Sequence, residues 1–492
     1  MSSHTRRGFG GAAGPPAPAA PLVLALDLGT GSVKAGLVGP DGGLAAQASR
    51  PYPVLAPRPG WSESDPRDWW AGVVAASREV LARVDPARVW AIGLSGQMHG
   101  VVLVDAQEQA LGRAVLWSDT RSAAHLDPFR AVDPERRRNP PVAGFAGPTL
   151  LWLRNHEPER YAAARRALQP KDWLRLHLTG EAAGDPSDAS GTLLYDFAAG
   201  DWNGELAETL GLRPSLLPPL RPSGRVGGRL RPGPAADLGL PAGLEVAVGA
   251  ADTAAALLGS GLRPGEAQLT VGTGAQVLVA SAALPPARPA LNVFRDAQSG
   301  FYTLAAVQNA GNVLEWVRRT LRLSWPEMYA GAQEVGHLPS PLFLPYLSGD
   351  RTPHLDPHAR AGWLRLDASH DHRHLAHAAF EGVALSVAQA AAALDLPGDL
   401  PLRLAGGGSV DPWWRQLLAD ALGRPLHISE ASGASLLGAA ALAWQAVGEP
   451  WEPERPDITG VVQPQPGRIP DGRHAEFRAA YGAARGGEDV QG

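Results

Sequence analysis

The sequence predicts an α/β protein of two domains built to one plan, with an anion-holding cleft between them. Two observations carry this. A strand–Gly-Thr-Gly–strand unit appears near the start of each half of the chain, as Gly29-Thr30-Gly31 and as Gly272-Thr273-Gly274; self-similarity at long separation points to duplicated architecture. The 492 residues, 45% apolar and 19% charged, are enough for two or three cored domains and exclude a wholly disordered chain.

The elements follow in order. Leu22 to Leu26, Val33 to Val38 and Leu44 to Ala48 read as strands of an antiparallel meander, with a turn at Pro40-Asp41-Gly42-Gly43. Asp65 caps a helix with Pro66 at its first position, and Trp69, Trp70, Val73, Val74 and Ala76 keep helical spacing. Strands are expected at Val89 to Leu94 and Val101 to Val104, around Gln97-Met98-His99-Gly100. Leu244 to Val248 forms another strand, breaking at Asp252 into an Ala-rich helix. The second Gly-Thr-Gly unit follows. Late in the chain, strand Leu402 to Ala405 leads into Gly406-Gly407-Gly408-Ser409, and Asp411-Pro412 opens a helix. The domains are placed at 21–262 and 263–482, with 1–20 and 483–492 as disordered ends.

Composition removes several functions. There is no cysteine, which excludes disulfides, thiolate metal sites and thiol nucleophiles. The only lysines, Lys34 and Lys171, do not follow glycine, so no P-loop exists. A net charge of −5 without a basic stripe argues against nucleic acid. No apolar run approaches the roughly 18 residues of a membrane span, and the protein is expected to be soluble and cytoplasmic. His370, His372, His374 and His377 alternate in a polar stretch rather than converging, and a metal site there is not expected.

The glycine-rich turns suggest the chemistry. A Gly-Thr-Gly turn leaves backbone N–H groups free to face an anion, and two such turns across a cleft would hold a polyphosphate; each alone also reads as an ordinary tight hairpin. Gly407 and Gly408 allow close approach to backbone at a helix N-terminus that favours negative charge. Asp252 opens a helix, where it could cap N–H groups and stay ionised. Asp27, at the end of the first strand, could equally serve a local turn.

Taken with Trp61-Ser62-Glu63-Ser64-Asp65-Pro66, Leu116-Trp117-Ser118-Asp119, Pro170-Lys171-Asp172-Trp173, Asp188-Ala189-Ser190-Gly191-Thr192 and Ser348-Gly349-Asp350-Arg351-Thr352-Pro353-His354, these segments resemble the FGGY carbohydrate kinases from about Leu22 to Val447. Gln-Met-His-Gly resembles the xylulose kinase branch. The resemblance implies two actin-like (ribonuclease H-like) domains with ATP and sugar between them. It further implies ATP-dependent phosphorylation of D-xylulose, Mg²⁺, a small-molecule sugar partner and a homodimer. Asp252 would be the catalytic base and Asp27 the metal-associated carboxylate. Thr30, Gly272, Thr273, Gly274, Gly311, Gly407, Gly408 and Asp411 would contact nucleotide. Gln97, Met98, His99, Trp117, Asp119 and Thr253 would line the sugar pocket.

Three positions depart from the family pattern: Thr253 stands where Asn is usual, Thr149 for Lys and Arg365 for Gly. Thr253 loosens the sugar assignment, leaving another ketose or gluconate as rivals; Met98-His99 disfavours glycerol. An actin-like or chaperone-type ATPase is the alternative from another class, opposed by the residues at Gln97 to His99.

Overall fold

The structure, a computed structural model, describes residues 20–336, 340–429 and 433–485. The expected N-terminal extension therefore lies almost wholly outside the described residues. So does the tail from 486 onward; residues 483 and 484, assigned to that tail, instead end the last helix.

The first sheet contains β1 (Leu22–Leu28), β2 (Ser32–Val38), β3 (Leu44–Pro51), β4 (Val89–Gly96), β5 (Val226–Arg229), β6 (Glu245–Ala247) and β7 (Ala250–Ala251). Its order is β5-β6-β4-β1-β2-β3, with β7 also on β4. β1, β6 and β7 run parallel to β4, and the remaining pairings are antiparallel. Every side chain of β1 is buried, as expected of a central strand covered on both faces.

The second sheet contains β8 (Ala267–Val271), β9 (Ala275–Ser281), β10 (Asn292–Arg295), β11 (Phe301–Val307), β12 (Leu402–Ala405), β13 (Leu426–Ser429) and β14 (Ile458–Val462). Its order is β10-β11-β9-β8-β12-β13-β14, with β8, β12 and β13 mutually parallel. Each sheet thus has a meander whose first strand pairs in parallel with a later strand, which pairs in parallel with another, and beyond that lies an antiparallel edge strand. The duplication suggested by the Gly-Thr-Gly units is a duplication of topology.

The helices that matter for the site are α1 (Pro66–Leu81), α2 (Pro170–Thr179), α3 (Asp252–Gly259), α4 (Gly311–Thr320), α5 (His372–Ala393), α6 (Pro412–Leu422), α7 (Ala434–Ala446) and α8 (Arg473–Ala484). Asp65 caps α1 as expected, accepting from the Arg67 N–H at 2.9 Å. Trp69, Val73 and Ala76 are buried in the first core. The sequence hid one long-range feature. Helix α7 comes from the second half of the chain yet packs Leu436, Ala439, Ala440 and Ala443 against Val23, Ala25 and Ala91 of the first sheet. It also lies against α3 at backbone distance: a Cβ at Gly438 would stand 1.9 Å from the Ala255 carbonyl oxygen.

One described helix, α5, is long and apolar enough to cross a membrane, contrary to the expectation from apolar runs. Its apolar residues, including Phe380, Val383 and Val387, are buried in the second core. The nearby histidines face separate partners: His377 Nδ1 lies 2.9 Å from the Ala332 carbonyl oxygen and His374 Nδ1 2.9 Å from Asp371. Arg365, at the position where glycine is usual, holds φ +60°, the backbone region that favours glycine.

Candidate active site

Three strand ends assemble the acidic centre. Asp27 pairs with Ser95 across β1 and β4, and Ala251, just before Asp252, pairs with Gly96 across β7 and β4. The two aspartates thus flank β4, about 10 Å apart at two strand spacings. Their position, at the carboxyl ends of parallel strands, is where open α/β sheets bind ligands. Asp27 is buried, with Oδ1 accepting from the Ser95 hydroxyl at 3.0 Å and Oδ2 from the Ser435 hydroxyl of α7 at 2.7 Å.

Asp252 departs from the helix-cap expectation. Ala251 occupies the cap position, and among the described residues the Asp252 carboxylate accepts only from its neighbour, from the Thr253 N–H at 2.6 Å and the Thr253 hydroxyl at 3.2 Å. Nor does the helix end hold it low. Burial, and then the charge of Asp27, push it up to about 7, with the Thr253 bonds opposing. The buried Asp27 carboxylate, facing the half-buried Asp252, is hard-oxygen donor chemistry that fits Mg²⁺.

Both Gly-Thr-Gly units are hairpin turns between paired strands. The first is closed by Gly29 N–H donating to Ser32 O at 3.0 Å and held from below by the Gln97 amide on Gly29 O at 3.2 Å. The Thr30 hydroxyl accepts from the Trp117 indole N–H at 2.9 Å. The second turn leaves Gly272 and Thr273 exposed. Gly311 N–H donates to Gly272 O at 3.1 Å, and Gly408 N–H donates to Val271 O at 3.0 Å. Gly272 to Gly274, Gly311 and the Gly406 to Gly408 loop therefore form one backbone-lined surface. Asp411 caps α6 by accepting from the Trp413 and Trp414 N–H groups at 2.9 and 3.1 Å.

On the sugar side, His99 holds the left-handed backbone, φ +68°, a strain that accumulates at functional sites. Its ring stacks on Phe145 at 4.1 Å. Its Nδ1 lies 2.7 Å from Gly191 O, an acceptor, so Nδ1 carries the proton and Nε2 is left as an acceptor. Burial lowers it to about 3, so the ring is neutral. The Met98 side chain is turned into the core, its sulfur 3.8 Å from the Tyr302 hydroxyl, and its carbonyl is taken by the Gly100 N–H. Gln97 Oε1 is buried without a partner among the described residues.

Asp119 does not line the pocket as expected. Its carboxylate is consumed by Ser62 N–H at 2.6 Å and by the buried Arg121 guanidinium at 2.7 Å, which lies over Trp61. Thr253, expected to line the sugar pocket, spends its hydroxyl on the Asp252 carboxylate, to which it donates at 3.2 Å.

A cluster that spacing did not suggest lies beneath the acidic centre. Lys171 Nζ is fully buried, 2.7 Å from Asp172, 2.7 Å from Asp185 and 2.9 Å from Asp188. Burial opposes its charge, yet the three carboxylates outweigh it and hold it protonated. The ammonium stands among the acidic oxygens where a metal could otherwise sit. The cluster reaches the segment that leads into Asp252: Ser187, bonded to Asp185, accepts the Ala251 N–H at 2.9 Å, and Arg175 donates to Val248 O at 2.6 Å. Removing one partner of such a network costs about 3–5 kcal/mol. One signal was present, since Lys171 is one of only two lysines in an arginine-rich chain.

Two domains of ribonuclease H-like plan, with strand-end carboxylates in one and a glycine-lined backbone surface in the other, define an actin-like phosphotransferase fold. Comparison narrows the class. Residues 22–259 match the N-terminal domain and residues 267–447 the C-terminal domain of the FGGY family of carbohydrate kinases, and the chain belongs to that family. It is 35% identical to a xylulose kinase of Escherichia coli (strain K12) over 433 residues, 86% of this chain and 89% of that one. The crystal structure of a xyloylose kinase from Brucella ovis superposes with a TM-score of 0.85 at 34% identity, covering 94% of this chain and 99% of that one. A gluconate kinase from Lactobacillus acidophilus, at 22% identity and TM-score 0.86 over 95% of this chain and 97% of that one, shares the fold.

Proposed function

We propose that this carbohydrate kinase transfers the γ-phosphoryl group of ATP to D-xylulose, giving D-xylulose 5-phosphate, with Asp252 as general base. The observation that carries the reading is the convergence of Asp27, Asp252 and the Gln97–His99 loop on neighbouring strand ends. The sugar follows from the relatives named xylulose kinase, which span most of the chain at up to 35% identity.

Asp252 accepts the proton of the C5 hydroxyl as its oxygen bonds to the γ-phosphorus, while the bond to the β,γ-bridging oxygen breaks and ADP leaves. A base near 7 suits this step at neutral pH. Thr253 fixes one carboxylate oxygen and leaves the other to the substrate. Thr30, Thr273 and Gly274 present turn N–H groups and hydroxyls to the phosphates, Gly272, whose N–H closes the turn on Gly274 O, allows their close approach, and Gly311, Gly407, Gly408 and Asp411 shape the nucleoside side. Mg²⁺ bound at Asp27 would neutralise phosphate charge. The neutral His99 accepts from a sugar hydroxyl through Nε2.

The test is ADP release with Mg-ATP against D-xylulose, D-ribulose, L-ribulose, gluconate and glycerol. D-Xylulose should give the highest kcat/KM. A preference for gluconate or a ribulose would retain the kinase and overturn the sugar.

A further inference from the structure

The loop Ser348 to His354 belongs to the second half of the chain but is fastened beside both ligand sides. Thr352 N–H donates to Ala306 O at 3.1 Å, and the Ala306 N–H returns a bond to the Thr352 hydroxyl at 3.1 Å. That hydroxyl donates to Ala290 O at 2.7 Å, and the Gln308 amide donates to Ser348 O at 3.1 Å. Ala306 and Gln308 bracket Val307, which pairs with Ala275 next to the second phosphate hairpin. Ala290 leads into β10, whose Phe294 ring lies 5.9 Å from His99. The loop therefore bridges the nucleotide hairpin and the sugar-side histidine.

Arg351 sits at the centre of this bridge. It is half-buried, yet among the described residues its guanidinium makes no ion pair and no hydrogen bond. Desolvating a guanidinium without an acceptor is costly, and its five planar donors are built for fixed oxygen acceptors. Its charge reaches His99, where it adds to the effect of burial. The bond from Thr352, the next residue, to Ala290 O, just ahead of the strand that carries Phe294 beside His99, holds Arg351 on the His99 side of the cleft.

We propose that Arg351 is a substrate-binding residue that donates hydrogen bonds to sugar oxygens at the end remote from the phosphorylated hydroxyl, opposite His99. The two side chains are complementary. His99 Nε2 can only accept, and the guanidinium can only donate. A hydroxyl next to a carbonyl satisfies both: the hydroxyl donates to His99, and the carbonyl, which can only accept, takes the Arg351 donors. The pair selects an open-chain ketose over the corresponding polyol. This rests on the reading of the protein as a ketose kinase and names the part of the site that recognises the ketone.

Calorimetric titration of D-xylulose and of xylitol, without nucleotide, into wild type, Arg351→Met and Arg351→Lys tests it, with a non-hydrolysable ATP analogue titrated alongside. Wild type should prefer D-xylulose to xylitol. Arg351→Met should weaken D-xylulose about 10- to 100-fold and abolish the preference, leaving the nucleotide within about twofold. Arg351→Lys should recover only part of the preference, because an ammonium lacks the fork. Unchanged D-xylulose affinity, equal weakening of both ligands, or a loss confined to the nucleotide would each overturn the proposal. Wild type that binds D-xylulose but forms no ADP when ATP is added would defeat the kinase reading and leave the Arg351 comparison intact.

Discussion

Asp27 and Asp252 end strands on opposite sides of β4, and the charge of Asp27 is, after burial, the main reason that Asp252 holds its proton up to about 7. Because the folded value lies above the ordinary 3.8, protonation of Asp252 favours the folded state. That contribution is fully present below the unfolded value and is lost as pH rises through about 7. In the metal-free protein, Asp252→Asn should raise Tm relative to wild type at pH 8 and leave it nearly unchanged at pH 4, measured by thermal unfolding. A Tm difference independent of pH would contradict this.

Thr253 tunes the base. Its N–H and hydroxyl bonds lower the proton affinity of Asp252 against the effect of burial. Thr253→Val removes the hydroxyl and should shift the acid limb of the pH–kcat profile to higher pH, whereas Thr253→Ser should not. Equal shifts in both variants would exclude the hydroxyl as the cause.

The nucleotide side depends on close backbone contact. A Cβ at Gly311 would stand 2.4 Å from Gly272 O, so Gly311→Ala must displace the second hairpin. The KM for ATP should rise about tenfold while the KM for sugar changes little, as initial rates at varied ATP and sugar will report.

The contact between α3 and α7 should govern stability. A Cβ at Gly438 has no room against Ala255, and Gly438→Ala should destabilise the protein by about 1–3 kcal/mol, read from denaturant unfolding. An unchanged midpoint would mean that the helices separate without cost.

The sequence made the local parts of this molecule legible. The meander of β1 to β3, the Asp65 cap and the Gly-Thr-Gly turns are specified by residues close in the chain. Those turns, with Asp27 and Asp252, fall at strand ends that the fold brings to the acidic centre and to the glycine-lined turn of the second sheet. What escaped depends on partners far apart in sequence. Asp119 reads as a pocket residue until Arg121, stacked on Trp61, is seen to consume it. Met98 stands in a substrate-like motif, yet its side chain serves the core against Tyr302, a position 204 residues away. The placement of α7 on the first sheet and the gathering of Asp172, Asp185 and Asp188 around Lys171 likewise depend on packing, for which short-range periodicity carries no signal. The acidity of Asp252 was misread because helix position was weighed without burial or Asp27.

The most direct test of the central claim, that Asp252 takes the sugar proton during phosphoryl transfer, is the single-turnover rate of Asp252→Asn against wild type with saturating Mg-ATP and D-xylulose. The account predicts a fall of about 10²- to 10⁴-fold with ATP affinity retained. A variant that keeps more than about a third of the wild-type rate would contradict it and require another base.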